Sequence, residues 1–219
     1  MRAQVAKIAP PVQAVSLPYA GSKGNWFVRQ IVHGARLERQ GHTMRFTPLD
    51  IAGACLVELT PNADERGSFA RTFCAREFAA QGLPATFVQH SRSFNRTRGT
   101  IRGMHFQCDP SAEDKLVTCT RGAIFDVCLD LRSASPTYRQ WRAFELSEDN
   151  GRQLLIPKGC AHGFQTLTDD AEVYYLISEY YAPSASGGVR FDDPAFAIAW
   201  PVPASVISDK DRGWPAFRG

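Results

Sequence analysis

The 219-residue sequence lacks several patterns that define large classes of proteins. It has no run of about 18 uninterrupted apolar residues, which excludes a transmembrane helix. It contains no GxGxxG and no GxxxxGK loop, so cradling of a nucleotide at a helix N-terminus is not indicated. What remains is a chain of 44% hydrophobic and 21% charged residues, which is typical of a globular protein with one sizeable domain.

The six cysteines include no CxxC pair. Several of them lie in apolar, strand-like runs, where a cysteine behaves as a small hydrophobic residue. We therefore interpret them as reduced thiols of a cytoplasmic protein, and we expect no structural zinc site.

Charge is unevenly distributed along the chain, although the net value is only +3. Residues 1–43 contain six basic residues and one acidic residue, whereas the remainder contains 19 basic and 21 acidic residues. The basic balance thus belongs to the N-terminal stretch, and we expect no nucleic-acid partner for the rest of the chain.

Residues 1–43 contain Pro10-Pro11 and little periodicity, and they lack the apolar stretch of a secretory signal. We predict a poorly structured basic extension here, followed by a folded domain over residues 44–219. Trp26-Phe27-Val28 leave open that part of the extension packs on the domain as an added strand or arm.

From Cys55 onward, short strand-like segments alternate with turn signals about every ten residues, which favours a β-sandwich or barrel. One short helix is predicted at 75–81, ended by Gly82 and Pro84. In 123–131 an apolar face alternates with a mixed one, which predicts a half-buried strand. The predicted strands are 55–59, 86–90, 100–107, 115–120, 123–131, 153–156, 161–167 and 172–179.

The segment 99–107 carries a histidine and an arginine three residues apart on a predicted strand. Strict alternation places His105 on one face and Arg102 on the other, and it leaves room beside Gly103 for a group to approach His105. A lone histidine is about as often a hydrogen-bonded core residue as a functional one. The functional interpretation therefore depends on other parts of the chain.

The segment 157–162, with the pattern P-x-G-x-x-H, resembles the second motif of cupin jelly rolls, where a strand directs a histidine into the barrel. Metal-binding cupins also need an H-x-H triplet and a nearby glutamate. Here the triplet is His105-Phe106-Gln107, and no glutamate follows until Glu113. Two histidines without a third ligand make a mononuclear metal site improbable, so we expect acid–base chemistry and no metal.

Further motifs occur in the order found in dTDP-4-dehydrorhamnose 3,5-epimerases, and the sequence resembles that family from about Met44 to Phe217. The resemblance implies an all-β, cupin-type double-stranded β-helix (jelly roll) with a few short helices. It also implies a homodimer that uses no cofactor. The motifs are Arg102-Gly103-Met104-His105-Phe106-Gln107, Lys115, Ile156-Pro157-Lys158-Gly159-Cys160-Ala161-His162-Gly163-Phe164, Tyr180-Tyr181-Ala182-Pro183, Asp192-Asp193-Pro194, Trp200-Pro201 and Ser208-Asp209-Lys210-Asp211.

The same resemblance implies roles for individual residues. The family's general base falls on His105, its carboxylate partner on Asp211 and its proton-donating tyrosine on Tyr175. A cationic group near the keto oxygen falls on Lys115. The remaining substrate-binding positions are Arg66, Arg102, Gln107 and His162.

These residue types suit the implied reaction, which inverts C3, C5 or both in a nucleotide-linked 4-keto-6-deoxyhexose. The ketone acidifies the neighbouring hydrogens, and a neutral histidine with a pKa near ~6.5 can remove one. A carboxylate fixes the histidine tautomer, and a cation such as Lys115 stabilises the enolate. A tyrosine on the opposite face completes the inversion, and arginines clamp a diphosphate.

Two positions depart from the family pattern: Leu176 stands where many members carry lysine, and Phe191 where tryptophan is common. Because Leu176 follows the proposed acid, substrate identity and the number of inverted centres stay open. The alternatives are a C3-only epimerase acting on another nucleotide-linked keto sugar and a non-catalytic cupin that binds nucleotide sugars. A metal-dependent cupin oxygenase is disfavoured by Gln107.

Overall fold

A computed structural model describes residues 44–218, so the predictions for residues 1–43 lie outside the described residues. The described chain forms thirteen strands, two short α-helices and a 3₁₀ turn at Pro183–Ala185. The helices are α1 (Ala75–Ala80) and α2 (Asp209–Arg212). The strands are β1 (Arg45–Pro48), β2 (Cys55–Glu58), β3 (Asn62–Asp64), β4 (Gly67–Phe69), β5 (Gln89–Asn95), β6 (Ile101–Gln107), β7 (Lys115–Arg121), β8 (Ala123–Asp130), β9 (Trp141–Ser147), β10 (Arg152–Ile156), β11 (Cys160–Thr166), β12 (Ala171–Ile177) and β13 (Ser186–Gly188).

Two antiparallel sheets make up the sandwich. One has the order β1-β2-β10-β7-β12-β5 and the other the order β13-β6-β11-β8-β9, and β3 and β4 form a separate hairpin. Strands that are neighbours in each sheet are mostly distant along the chain, as in a jelly roll. The predicted all-β jelly roll with a few short helices is therefore confirmed.

The main core lies between the two sheets. Val117, Leu154 and Val173 come from the six-stranded sheet, and Ile124 and Phe164 come from the five-stranded sheet. All five are at most 1% exposed. Removal of these apolar side chains from water is the dominant force that holds the sheets face to face.

The outer face of each sheet is covered as well. Phe78 of α1 packs against Leu116 and Leu176 on the six-stranded sheet, and residues of the segment 189–217 pack against Val127 and Leu129 on β8. The prediction that 123–131 is half buried is therefore wrong. Strand β8 is buried on both faces, because the C-terminal segment supplies a second apolar layer.

Neither described helix is long and apolar enough to span a membrane.

All six cysteines are free thiols, and four of them are buried.

Candidate active site

A cavity of about 530 Å³ lies between strands of the two sheets. Strands β5, β7 and β12 supply one wall, and β6 and β11 supply the other. Six of the eight predicted site residues line it, namely Arg102, His105, Gln107, Lys115, His162 and Tyr175. Asp211 is bonded to one of these, whereas Arg66 does not line the cavity.

His105 on β6 forms a short hydrogen bond with Asp211 on α2, 2.6 Å from Nε2 to Oδ1. The Asp211 side chain is 5% exposed, whereas that of His105 is 38% exposed. A second oxygen of Asp211 accepts the backbone N–H of Gly103. The carboxylate is thus buried behind the histidine, and the histidine faces the cavity.

The protonation of this pair follows from its hydrogen bonds. Burial of Asp211 acts to raise its pKa, but the bond and charge interaction with His105 and the Gly103 N–H outweigh burial, and the pKa is lower than usual. An ionised carboxylate can only accept, so Nε2 of His105 carries the hydrogen. In the neutral ring, Nδ1 then has a free electron pair and can act as a base.

Arg102 shares the cavity with His105, contrary to the alternation predicted for β6. In the pairing of β11 with β6, His162 lies opposite His105 and Phe164 lies opposite Arg102. The two residues on β11 are two positions apart, whereas their partners on β6 are three positions apart. This β-bulge adds one residue to β6 and shifts the alternation. The space beside Gly103 is occupied by β11, because a Cβ on Gly103 would lie 2.4 Å from Cα of Gly163.

The guanidinium of Arg102 is anchored at one nitrogen only. Its Nε donates to Oδ1 of Asn95 at 2.7 Å, and its terminal nitrogens form no hydrogen bond to any residue in the described part of the chain. The two terminal nitrogens are therefore available to an anionic ligand, for which the planar guanidinium is well suited.

Lys115 begins β7 and forms an ion pair with Glu113, 2.8 Å from Nζ to Oε1. Both side chains are largely buried, with 11% of Lys115 and 9% of Glu113 exposed. Since both residues line the cavity, the ion pair holds the ammonium group at a fixed place in its wall.

Tyr175 on β12 faces the cavity from the six-stranded sheet, opposite the sheet that carries His105. Burial raises the pKa of Tyr175 well above its usual value, and the negative charge of Asp126 adds a smaller increase. The positive charge of Arg102 and a hydrogen bond with Ser93 lower the pKa, but by less. The hydroxyl therefore keeps its proton at neutral pH, as a proton donor must.

A second histidine–aspartate pair lies beside the first. Nε2 of His162 is 2.7 Å from Oδ1 of Asp126 on β8, and the two side chains are 7% and 0% exposed. His162 lies opposite His105 in the β6–β11 pairing, and its ring contacts that of Tyr175. Among residues 44–218, no group of three or more His, Cys, Asp or Glu side chains is arranged to hold a metal ion.

Comparison with known proteins identifies the family. A family model described as dTDP-4-dehydrorhamnose 3,5-epimerase matches residues 48–219. The dTDP-4-dehydrorhamnose 3,5-epimerase of Sinorhizobium fredii is 42% identical over 175 residues, which cover 80% of this chain and 90% of that protein. The chain belongs to the dTDP-4-dehydrorhamnose 3,5-epimerase family.

Solved structures agree with this assignment. The dTDP-4-dehydrorhamnose 3,5-epimerase of Bacillus anthracis, solved with TDP and PPi bound, has a TM-score of 0.78 and 43% identity, covering 80% of this chain and 100% of that chain. A 3'-monoepimerase of Streptomyces bikiniensis, in complex with dTDP-quinovose, has a TM-score of 0.72 and 33% identity, covering 77% of this chain and 86% of that chain. The predicted family, cupin-type fold and enzyme class, an epimerase, are confirmed.

Within the epimerase fold, Gln107 uses its amide for contacts inside the protein. Its Nε2 donates to the carbonyls of Ser111 and Tyr180 at 2.8 and 3.2 Å, and its Oε1 accepts from the N–H of Ala182 at 2.7 Å. The structure therefore gives Gln107 a part in holding residues 180–182, of which Tyr181 lines the cavity, with little capacity left for a ligand.

Two other expectations change in the light of the epimerase structure. Arg66 lies on the exposed β3–β4 hairpin, where it pairs with Asp64, and not in the cavity of its own chain. Leu176 is next to Tyr175 in sequence but faces the opposite side of β12, where it packs in the cluster that contains Phe78. The expectation that Leu176 bears on the substrate is therefore not supported by its position.

Sequence reasoning missed Asp126, Glu113 and Asn95, each of which contacts a predicted site residue. Asp126 gave no signal, because it lies on the mixed face of 123–131 and only the structure shows that this strand is buried on both faces. Glu113 and Asn95 carried none, because charged and amide side chains in loops and at strand ends are usually solvated.

Proposed function

We propose that this chain epimerises a nucleotide-linked 4-keto-6-deoxyhexose at C3, C5 or both, by removal and return of a proton through an enolate. The observation that carries the proposal is the arrangement of His105, backed by Asp211, and Tyr175 on opposite walls of one cavity. An inversion requires a base on one face of the sugar ring and an acid on the other.

The first step is proton removal. The carbonyl at C4 acidifies the hydrogens on C3 and C5, and Nδ1 of His105 accepts one of them. Asp211 accepts the hydrogen of Nε2, which fixes the ring orientation and stabilises the imidazolium that forms.

The second step is stabilisation of the enolate. As the electron pair moves onto the C4 oxygen, a positive charge in a partly dehydrated wall lowers the energy of the transition state. Lys115 supplies this charge, and Glu113 fixes the position of its ammonium group.

The third step is proton delivery from Tyr175. Because Tyr175 lies on the six-stranded sheet and His105 on the five-stranded sheet, the new C–H bond forms on the face opposite to the one that was lost. This geometry inverts the centre instead of merely exchanging its hydrogen.

We propose that the substrate carries a nucleoside diphosphate, because solved members of the family hold TDP or a dTDP-sugar. Arg102 offers two unpaired guanidinium nitrogens to a diphosphate, and His162 contributes to the cavity wall. Arg66 is exposed, so its predicted phosphate contact requires the hairpin of a second copy of the chain. The homodimer is therefore part of the proposal, and light scattering tests it.

We also propose a cytoplasmic location, on the basis of six free thiols.

Inversion at C3 alone is the second candidate, and the likeness to a 3'-monoepimerase favours keeping it. A binding protein without activity is disfavoured, because the chain belongs to an epimerase family and has both the base–carboxylate pair and a tyrosine on the opposite wall. Incubation of the protein in D₂O with a panel of nucleotide-linked 4-keto-6-deoxyhexoses, followed by NMR, tests the proposal. Deuterium at C3 or C5 with inversion is expected, and no incorporation with any sugar contradicts it.

A further inference from the structure

The proposed inversion leaves the enzyme in a different protonation state from the one in which it began. The bond from carbon to the departing hydrogen breaks, and His105 becomes an imidazolium. The O–H bond of Tyr175 breaks to form the new C–H bond, and Tyr175 becomes a phenolate. Before the next turnover one proton must leave His105 and one must reach Tyr175.

The buried position of Tyr175 limits which groups can return a proton to its phenolate. Its ring packs against the core between the sheets, and burial and the charge of Asp126 favour its protonated form. Return of a proton to the phenolate is therefore energetically downhill. The residue that delivers it must reach the Tyr175 hydroxyl from the cavity wall.

His162 occupies such a place. The centroids of its ring and that of Tyr175 are 5.9 Å apart with an interplanar angle of 75°, an edge-to-face contact. His162 is also the register partner of His105 across the β6–β11 pairing. It therefore contacts the ring of one residue whose protonation changes and is the strand neighbour of the other.

Asp126 equips His162 for proton transfer. Oδ1 of Asp126 binds Nε2 of His162, while Oδ2 is buried and has no hydrogen-bond partner among the described residues. Because one oxygen of this buried carboxylate stays unpaired, Asp126 can stabilise an imidazolium on His162 when a proton arrives at Nδ1. Nε2 is held by Asp126, so Nδ1 is the nitrogen that gives up its proton.

We propose that His162, held by Asp126, returns a proton to Tyr175 after each inversion. This proposal rests on the proposed function. The Nδ1–H bond of His162 breaks and the O–H bond of Tyr175 forms, which leaves His162 neutral. His162 then takes a proton from cavity water, and His105 releases one to water, so that protons balance and both residues regain their starting forms.

The test compares the first turnover with later ones in His162→Ala. With enzyme in excess over sugar, we expect the rate of the first inversion to fall less than the steady rate, because His105 and Tyr175 are intact although His162 lines the cavity. With sugar in excess, we expect a burst of one product per active site and then a steady rate lower by about 10²-fold. Added imidazole occupies the space left by the ring and restores the steady rate without changing the burst.

Three further variants make the result specific. Asp126→Asn should give the same burst with a slow steady rate, and His162→Gln repeats the test with a larger side chain if His162→Ala melts at a lower temperature than the wild type. Phe164→Leu is the packing control, because the ring of Phe164 packs on that of His162, with their centroids 6.2 Å apart, but cannot transfer a proton. It should lower the burst and the steady rate in the same proportion, without rescue by imidazole.

Other outcomes overturn the proposal. If burst and steady rate of His162→Ala fall equally, or if only KM rises while kcat is unchanged, His162 positions the substrate and returns no proton. Failure of imidazole to restore the steady rate has the same meaning. If the wild-type protein inverts no sugar of the panel, the proposed function itself fails, which is a distinct result.

Discussion

His105 and Asp211 are 106 residues apart in sequence and meet at 2.6 Å. The contact forms because α2 follows an N-cap at Ser208, whose side chain accepts the backbone N–H of Asp211. Asp211 is thereby fixed on the first turn, with its carboxylate directed at β6. A helix of four residues thus positions the proposed base.

Asp211→Asn should slow exchange of the sugar hydrogens without abolishing it. The variant keeps the shape of the side chain but removes the charge that orients His105 and stabilises its imidazolium. We expect a loss smaller than that of His105→Ala, measured by deuterium incorporation. Asp209→Asn is the matched control, since Asp209 is exposed on the same helix; equal losses in both variants would contradict the role of Asp211.

Asp130 should make stability depend on acidity. Burial acts to raise its pKa, but hydrogen bonds from Arg132, Ser135 and Thr137 outweigh burial, and the pKa lies well below its usual value. A lowered pKa in the folded state stabilises the protein above the unfolded value of about 3.9, and this contribution disappears as pH falls further. Asp130→Asn should therefore lower the free energy of unfolding by about 1–3 kcal/mol at pH 7 and by less at pH 3. An equal effect in urea denaturation at both pH values would refute this.

Leu176 should matter for stability and not for the reaction. It is 8% exposed and packs beneath the sheet, away from the cavity. Leu176→Ala should cost about 2–5 kcal/mol of unfolding free energy and leave the ratio of C3 to C5 exchange unchanged. Ile177→Ala, a neighbour that lines the cavity, is the comparison and should alter KM. A changed exchange ratio in Leu176→Ala would show that the substitution reaches the substrate.

Much of the architecture could be predicted from alternation and turn signals. Strands β6, β7, β10, β11 and β12 lie within two residues of their predicted bounds, and α1 within one. The β3–β4 hairpin was not among the predicted strands. Strand β9 was not predicted either, because Trp141–Ser147 mixes apolar and charged residues without a clear period. Strand β5 begins three residues later than predicted and extends to Asn95, because as an edge strand it is mostly polar.

The site was predictable only in part. Family motifs indicated His105, His162 and Tyr175, all of which line one cavity. The placement of Arg102 beside His105 could not be predicted, because a β-bulge is set by pairing with β11 and not by the sequence of β6 alone. The partner of His162 was missed for a similar reason, since it comes from a strand 36 residues away.

Tyr175→Phe should separate proton removal from inversion. His105 still removes a proton and can return a deuteron to the same face, so label enters the starting epimer. Delivery to the opposite face loses its acid, and inversion should fall by about 10²–10⁴-fold. NMR resolves the two epimers, and Tyr174→Phe, whose hydroxyl contacts His90 outside the cavity, is the control. Inversion at the wild-type rate would remove Tyr175 from the mechanism.

The most direct test of the account is deuterium exchange by His105→Ala in D₂O with a nucleotide-linked 4-keto-6-deoxyhexose that the wild-type protein inverts. His90→Ala removes an exposed histidine from β5 and serves as the control. If His105 is the base, the variant should remain folded, although loss of the partner of buried Asp211 lowers its melting temperature. It should lose exchange at C3 and C5, while His90→Ala exchanges normally. Near-normal exchange by folded His105→Ala would contradict the account, because the proton would then leave through another residue.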